Sequence, residues 1–218
     1  FIVPTKMKNL VLLIFSLLFY FYGEPRYIGI LILSVLVNYF CGILIGRNTN
    51  RNIRKILFIL NIIFNVGLLF YFKYTDFFIS NINLLFGSDL GLLRVIMPIG
   101  ISFFTFQTMS YVIDVYLGKV EYNKNLLDFA TYVALFPQLV AGPIVRYIDV
   151  SEQLSKREHS FDNFALGIER FVIGLGKKVL LANVLGEACS LLLGMDEATV
   201  ISSWMNALFY TLQIYFDF

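Results

Sequence analysis

The amino-acid sequence predicts an all-α fold, a polytopic transmembrane helical bundle with at least one broken or re-entrant helix. The chain of 218 residues is 58% hydrophobic and only 15% charged, with a mean hydropathy of +0.76. Soluble domains carry about 25% charged residues, so this chain has too few polar side chains to cover a water-exposed surface. Its apolar residues come in uncharged blocks that lack the polar–apolar alternation of barrel strands. We expect one membrane domain over residues 1–218.

Five uncharged blocks have the length of a membrane-spanning helix. A bilayer core about 30 Å thick needs roughly 17–25 apolar residues in a helix. A helix also satisfies every backbone polar group internally, as the lipid interior requires. The five predicted helices cover residues 27–46, 56–72, 95–113, 129–145 and 198–216.

Two further segments are ambiguous in length or polarity. Residues 9–23 are uncharged but short, so they would need a thinned or tilted arrangement to span. Residues 164–186 contain one acidic and three basic side chains, and helical spacing places Arg170 and Lys177 on one face. This second segment is either an interfacial amphipathic helix or a span whose polar side faces protein.

Basic residues in short loops predict the orientation, because loops rich in Lys and Arg stay in the cytoplasm. The loop after residue 46 contains four basic residues between Arg47 and Lys55, so we place it inside. Residues 73–94 are then outside, and the chain returns to place Lys119 and Lys124 inside.

The block at residues 129–145 departs from a simple span. It contains Pro137 and the pair Gly142 and Pro143, and proline removes a helix hydrogen bond and bends the backbone. Broken backbone at membrane depth is tolerated only where it is buried in protein or lines a wet cavity. We therefore expect this block to enter from the cytoplasmic side, bend and return. The alternative is an ordinary span with a proline kink.

The motifs of soluble enzymes are absent from the sequence. It has no P-loop, dinucleotide fingerprint, nucleophile elbow or metal-binding histidine pair, and we expect no bound cofactor or metal. Its one histidine, His159, lies in a polar stretch typical of a solvated loop. Cys41 and Cys189 lie among apolar residues and are expected to be packing residues. A net charge of +2 provides no electrostatic footprint for a nucleic acid.

Polar residues inside the fourth block and the last block are the candidates for function, since buried polar groups in lipid are costly. Gln138 follows Pro137, where freed backbone and a side-chain amide converge and would suit a polar pathway. Arg146 would bind an anionic group or simply extend its side chain to the interface. Gln213 and Asp217 lie in the last apolar run, where Asp217 needs a partner or water.

Four polar residues of the third block have a structural interpretation. They are predicted to be interhelical hydrogen-bond partners in a bundle interior. These residues are Ser102, Thr105, Gln107 and, one to two turns further on, Asp114.

Three separated stretches resemble the membrane-bound O-acyltransferase family. They are MPIGISFFTFQTMSYVIDVYLGKV (residues 97–120), DFATYVALFPQLVAGPIVRY (128–147) and TLQIYFDF (211–218), and residues 9–42 fit the early helices of the same family. The run FPQLVAGPIVR is most similar to the branch of alginate O-acetyltransferase membrane subunits. Relatives that transfer D-alanine to teichoic acid are similar but less close.

The resemblance implies a polytopic enzyme of the bacterial inner membrane. Such an enzyme moves an acyl group, commonly acetyl, from a cytoplasmic donor such as acetyl-CoA to hydroxyls of an extracytoplasmic polysaccharide. The family fold is a ring of helices around a funnel pinched near mid-membrane, with a catalytic histidine at the pinch. That histidine would lie beyond residue 218, so the chain would be the inactive N-terminal half of the family domain. His159 matches no family motif. A periplasmic or extracellular acetyl-passing partner protein is a further expectation, beside membrane lipid and the glycan acceptor.

In this interpretation the broken segment lines a passage for the acyl group. The substrate-path candidates are Gln138, Gly142, Pro143, Arg146, Gln213 and Asp217. Arg146 would meet an acidic group of the donor, such as a coenzyme A phosphate. Two other functions fit the sequence: a transporter or flippase of a lipid-linked sugar, which would also use broken helices, and a non-catalytic membrane scaffold.

Overall fold

The structure is a computed structural model that describes residues 4, 7–139, 142–155, 160–195 and 199–218. Every regular element in these ranges is a helix, which confirms the predicted all-α class. The chain divides into two compact units, Phe1–Arg157 and Glu158–Phe218. One membrane domain over residues 1–218 stays a prediction.

The first unit is built from helices of very different lengths. A π-helical turn, Phe70–Tyr74, joins the third helix to the fourth. The helices are α1 Lys8–Gly23, α2 Ile28–Arg47, α3 Arg51–Leu69, α4 Thr75–Phe86, α5 Ile101–Tyr116, α6 Leu126–Ala134, α7 Phe136–Leu139 and α8 Tyr147–Ser155.

Two helices in the described part of the chain are long and apolar enough to cross a membrane, namely Ile28–Arg47 and Arg51–Phe86. The first matches the predicted block at residues 27–46 to within one residue at each end. The second runs past residue 72 into the stretch predicted to lie outside. It ends at Gly87, whose φ of +62° is the left-handed conformation typical of a helix C-terminus.

The prediction of one helix over residues 95–113 was wrong for its first six residues, because α5 begins only at Ile101. Pro98 has no backbone N–H to donate, and Gly100 adopts a φ of +75° immediately before the helix. The Tyr20 hydroxyl donates to the Ile99 carbonyl at 3.1 Å and ties this non-helical approach to α1.

The core of the first unit forms where α2 packs against α5 and α3, and α1 packs against α6. Gly42 of α2 allows a close approach, because a Cβ there would lie 2.7 Å from Cε1 of Tyr111 on α5. Tyr111, Phe104, Phe129 and Tyr132 are fully or almost fully buried. Small residues at such crossings are typical of helices that associate in a membrane.

Three buried asparagines connect α2 to α3. The side-chain oxygen Oδ1 of Asn38 accepts from Asn61 Nδ2 at 3.0 Å and from Asn65 Nδ2 at 2.9 Å. The Asn38 amide donates in return to the backbone oxygen of Ser34 at 2.8 Å and to Asn65 Oδ1 at 3.2 Å. All three asparagines are at most 1% exposed, so this asparagine cluster satisfies its polar atoms inside an otherwise apolar pair of helices.

The second unit contains α9 Phe161–Lys177, α10 Asn183–Leu193 and α11 Val200–Asp217. A π-helical turn, Lys178–Ala182, makes α9 and α10 one continuous helix. Residues 164–186 lie within that helix, and both interpretations of them, interfacial or spanning, stay predictions. The block predicted at 198–216 corresponds to α11, which Thr199 caps by accepting the Ser202 backbone N–H at 3.1 Å.

Candidate functional site

The segment at residues 129–145 is interrupted rather than a continuous helix. The helix α6 ends at Ala134, and Leu135 has the extended ψ of 114°. The short helix α7 then contains Pro137, which has no N–H for the carbonyl four residues earlier. Val140 and Ala141 lie outside the described residues. The break is present, whereas its re-entrant path through a membrane stays a prediction.

Side chains from three elements satisfy the backbone groups that the break leaves free. The Tyr132 carbonyl oxygen accepts from Gln107 Nε2 at 2.9 Å and from Gln138 Nε2 at 2.6 Å. The Phe136 N–H donates to Ser16 Oγ at 3.3 Å. An unpaired buried backbone group costs about 1–3 kcal/mol, so these contacts stabilise the break. The freed backbone and the Gln138 amide do meet, as expected, and the amide is bound to that backbone.

Arg146 forms an ion pair with Asp114 of α5. Its Nη2 donates to both carboxylate oxygens at 2.9 Å. The Asp114 side chain is 5% exposed, whereas the Arg146 side chain is 48% exposed. The hydrogen bond to Asp114 and the charge of that carboxylate raise the pKa of the Arg146 guanidinium, which stays protonated. Asp114 thus has a partner from another element, and Arg146 keeps a free surface.

Four aromatic rings hold the chain that follows the break. The Tyr147 ring lies 5.0 Å from that of Tyr111 and 5.3 Å from that of Tyr132, and the Tyr111 ring lies 4.6 Å from that of Phe129. The Tyr132 hydroxyl also donates to the Val145 carbonyl at 2.8 Å. These contacts fix the backbone next to Arg146, so the guanidinium reaches Asp114 from a rigid position.

Gly142 and Pro143 are the remaining path candidates of the first unit. A Cβ on Gly142 would lie 2.8 Å from the Gln138 Cα, so only glycine allows the backbone to pass this close to α7. Pro143 is exposed. The structure therefore places Gly142 against Gln138, whereas Arg146 lies just before α8 and contacts Asp114.

Gln213 and Asp217 belong to the second unit. Asp217 forms an ion pair with Lys178 of the π-helical turn. This carboxylate therefore has the partner that was expected for it. Gln213 lies against Gly186, where a Cβ would come within 2.9 Å of the Gln213 Nε2. The two residues thus join α11 to the preceding helix. The role of the six path candidates in substrate transfer stays a prediction.

The remaining predictions concern the histidine, the two cysteines and metal binding. His159 lies outside the described residues. Both cysteines are free thiols, with Cys189 buried and Cys41 half-buried. Within the described ranges, no group of three or more His, Cys, Asp or Glu side chains could hold a metal ion.

Sequence reasoning missed the Arg146–Asp114 ion pair and the asparagine cluster. The signal for the first was present, since two opposite charges flank apolar blocks at ends that the orientation places on the same side. The signal for the second was the spacing of Asn61 and Asn65, one helical turn apart in an apolar segment.

Comparison with known proteins identifies similar sequences over almost the whole chain. The model of the membrane-bound O-acyltransferase family matches residues 17–218. The chain is 36% identical over 220 residues to a probable alginate O-acetylase AlgI of Azotobacter vinelandii, covering 99% of this chain and 44% of that relative. It is 37% identical over 218 residues to a probable alginate O-acetylase AlgI of Pseudomonas aeruginosa, covering 98% and 42%.

A relative whose name specifies a different acceptor has a comparable sequence identity to this chain. The chain is 35% identical over 253 residues to a peptidoglycan O-acetyltransferase of Helicobacter pylori, covering 100% of this chain and 48% of that relative. The chain therefore spans less than half the length of each of these relatives. No solved structure matches the chain.

Proposed function

The chain belongs to the membrane-bound O-acyltransferase family, and from this membership we propose that it forms part of a multi-pass enzyme of the bacterial inner membrane. The enzyme moves an acetyl group from a cytoplasmic donor to hydroxyls of an extracytoplasmic polysaccharide. The observation that carries this proposal is the similarity, over at least 98% of the chain, to alginate O-acetylases and to a peptidoglycan O-acetyltransferase. Their names share O-acetyl transfer and differ in the acceptor.

The chemistry of this transfer defines what the whole enzyme must supply. The acceptor hydroxyl oxygen bonds to the acyl carbon, the bond from that carbon to the donor's leaving group breaks, and the hydroxyl proton passes to a base. We assign that base to none of residues 1–218. This chain contributes the helical framework and a polar, interrupted segment beside which an acyl group can pass.

The interrupted segment supports this role because its broken backbone is satisfied by protein. Gln107 and Gln138 bind the Tyr132 carbonyl, and Ser16 binds the Phe136 N–H. Non-helical backbone of this kind is stable at membrane depth only inside protein or beside a wet cavity. We propose that Gly142, Pro143 and Arg146 continue this segment toward the cytoplasmic entrance. Gln213 and Asp217 are the proposed path residues of the second unit.

Arg146 is the residue that we propose meets the donor. Half of its side-chain surface stays exposed while Asp114 holds one of its nitrogens. The remaining donors of the guanidinium are free to bind an acidic group, such as a phosphate of coenzyme A.

Two substitutions separate donor binding from the ion pair. Arg146→Ala and Asp114→Asn both break the pair, but only the first removes the cation. We expect Arg146→Ala to weaken donor binding at least about tenfold and Asp114→Asn to leave it nearly unchanged, measured with acetyl-CoA on the whole enzyme in detergent. Equal donor affinity in both variants and the wild type would show that Arg146 has no part in donor binding.

Ester-linked acetate on the cell surface tests the function itself. We expect deletion of the gene to abolish acetate released by mild alkali from purified surface polysaccharide, and complementation to restore it, with polysaccharide yield unchanged. Loss of the polysaccharide itself, rather than of its acetate, would instead support a transporter or flippase of a lipid-linked sugar. An acetyl-passing partner protein is expected to co-purify with the complete enzyme.

A further inference from the structure

A polar cavity of about 510 Å³ opens in the first unit where the α2–α3 connection meets the α5–α6 connection. None of the six path candidates lines it. Its walls come from the last turn of α2, the second turn of α3 and the chain between α5 and α6. The cavity is therefore built by two sequence-distant connections, and its lining includes charged side chains from both.

The lining is strongly cationic. Arg54, Lys119 and Lys124 line the cavity together with one carboxylate, Glu121. Within the described residues, the ion pairs are those of Arg146 with Asp114 and of Lys178 with Asp217, so none of the carboxylates described lies within 4.0 Å of these three cations. The C-terminal ends of α2 and α5 offset part of the positive charge. An excess of cations nevertheless faces one open space.

The Arg54 side chain is held in place by two contacts, and one of its hydrogen-bond donors is unpaired in the described part of the chain. Its Nη2 donates to the Tyr116 carbonyl at 2.9 Å, and its guanidinium carbon lies 5.8 Å from the centre of the Tyr116 ring. Its Nε is buried and has no hydrogen-bond partner in the described part of the chain. An unpaired buried donor of this kind is uncommon in folded proteins.

Tyr122 forms a second fixed wall of the cavity. Gly46 leaves room for its ring, since a Cβ there would overlap the ring carbons. The guanidinium of Arg47 lies 5.9 Å from the ring centre, and the ammonium of Lys124 lies 5.8 Å from it. The ring thus orients Lys124 beside the cavity and brings Arg47 to its edge.

We infer that this cavity binds a phosphate-bearing anion through Arg54, Lys119 and Lys124. A phosphate group offers several strong acceptor oxygens, which matches one anchored guanidinium and two ammonium groups. The phosphate belongs either to a membrane-lipid headgroup or to a freely diffusing phosphate compound. This inference does not rest on the proposed acetyl transfer.

Two binding measurements on the full chain in neutral detergent test the site and distinguish the sources. Equilibrium dialysis with radiolabelled inorganic phosphate measures the binding of free phosphate, which is the first arm of the test. Native mass spectrometry measures the lipid arm, counting phosphatidylglycerol against phosphatidylcholine retained from mixed micelles. We expect saturable binding in at least one arm, and the positive arm identifies the source.

A matched pair of double variants makes the test specific. Lys119→Gln with Lys124→Gln removes two exposed cations of the cavity, so the fold is not at risk. Arg51→Gln with Lys55→Gln removes the same charge from exposed residues at the start of α3 that do not line the cavity. We expect the first pair to weaken binding at least about tenfold and the second to change it less than about twofold. Equal weakening by both pairs, or no saturable binding in either arm, would overturn the inference.

Discussion

At the scale of single residues, the Tyr132 carbonyl connects the helix break to the rest of the first unit. Two amides, from Gln107 and Gln138, donate to this oxygen because α6 ends at Ala134 and the Phe136 N–H, four residues on, donates to Ser16 instead. The loss of a helix hydrogen bond near this point could be predicted from Pro137. The identity of the second donor could not, since Gln107 lies on another helix and reaches the site only through tertiary packing.

The two amides are expected to substitute for each other. Gln107→Ala and Gln138→Ala alone each leave one donor on the carbonyl, so each variant should lose about 0.5–1 kcal/mol of unfolding free energy. The double variant leaves the carbonyl unpaired and should lose about 1–3 kcal/mol beyond the sum of the single losses. Titration of detergent micelles with sodium dodecyl sulfate measures these values, and strictly additive losses would contradict the shared role.

The Arg146–Asp114 pair predicts an asymmetry between its two partners. Arg146→Gln leaves a buried carboxylate without its cation, whereas Asp114→Asn leaves an arginine that is already half exposed. We expect Arg146→Gln to lower the unfolding midpoint by several degrees and Asp114→Asn to lower it less. The double variant should be more stable than Arg146→Gln alone, and thermal unfolding in detergent checks this order. A double variant that is the least stable of the three would contradict it.

At the scale of helices, the sequence predicted the long uncharged elements well and the interrupted ones poorly. The bounds of α2 and α11 follow directly from charge and hydropathy. The start of α5 does not, because Pro98 and Gly100 lie inside an apolar block whose composition alone favours a longer helix. The π-helical turn after α3 is equally invisible in the hydropathy pattern, which continues smoothly into α4.

The crossing of α2 and α5 depends on a single glycine. Gly42→Ala would place a Cβ 2.7 Å from the Tyr111 ring, whose hydroxyl is fixed by the Asn123 N–H at 2.9 Å. We expect a loss of about 1–3 kcal/mol in unfolding free energy from this overpacking. Gly29→Ala on the same helix meets open space, so it should be neutral or stabilising by up to about 1 kcal/mol. Equal effects of both variants in the dodecyl sulfate titration would show that the crossing tolerates the extra carbon.

The path of the interrupted segment makes a prediction about sidedness. If the segment returns to the cytoplasmic side, a cysteine replacing Ser155 at the end of α8 is inaccessible to a membrane-impermeant maleimide added to intact cells. The measurement needs a background in which Cys41 and Cys189 are replaced by alanine. A cysteine replacing Ser88, in the loop predicted to lie outside, serves as the labelled control. Labelling of the cysteine at position 155 would instead support an ordinary span with a proline kink.

At the scale of the whole molecule, the exposed apolar surface predicts that the chain partitions into membranes rather than into water. Large apolar side chains are exposed along α1 to α4, including Phe15, Leu60 and Phe77. Contact with water at these positions costs about 25 cal/mol per Å² of apolar area. We expect the chain to sediment with membranes after washing with alkaline carbonate and to dissolve only in detergent. A soluble fusion partner expressed alone is the control, and recovery of the chain in the carbonate supernatant would contradict integral membrane insertion.

The class of fold and the family can be predicted from the sequence, because the first depends on overall composition and the second on motifs whose own residues are neighbours in the chain. The candidate site can be predicted from the sequence only in part. Pro137, Gln138 and Gly142 are neighbours in sequence, so their convergence could be expected. The pairing of Asp114 with Arg146 depends on how α5 and the chain before α8 pack, which hydropathy does not encode.

The asparagine cluster has a consequence for how the chain enters lipid during synthesis. Asn38, Asn61 and Asn65 bond one another within two helices that are consecutive in the chain. A hairpin of α2 and α3 hides these amides from hydrocarbon before any later helix has been made, while either helix alone would expose them. The pair can therefore leave the insertion machinery as one unit, joined by the three-residue turn at residues 48–50.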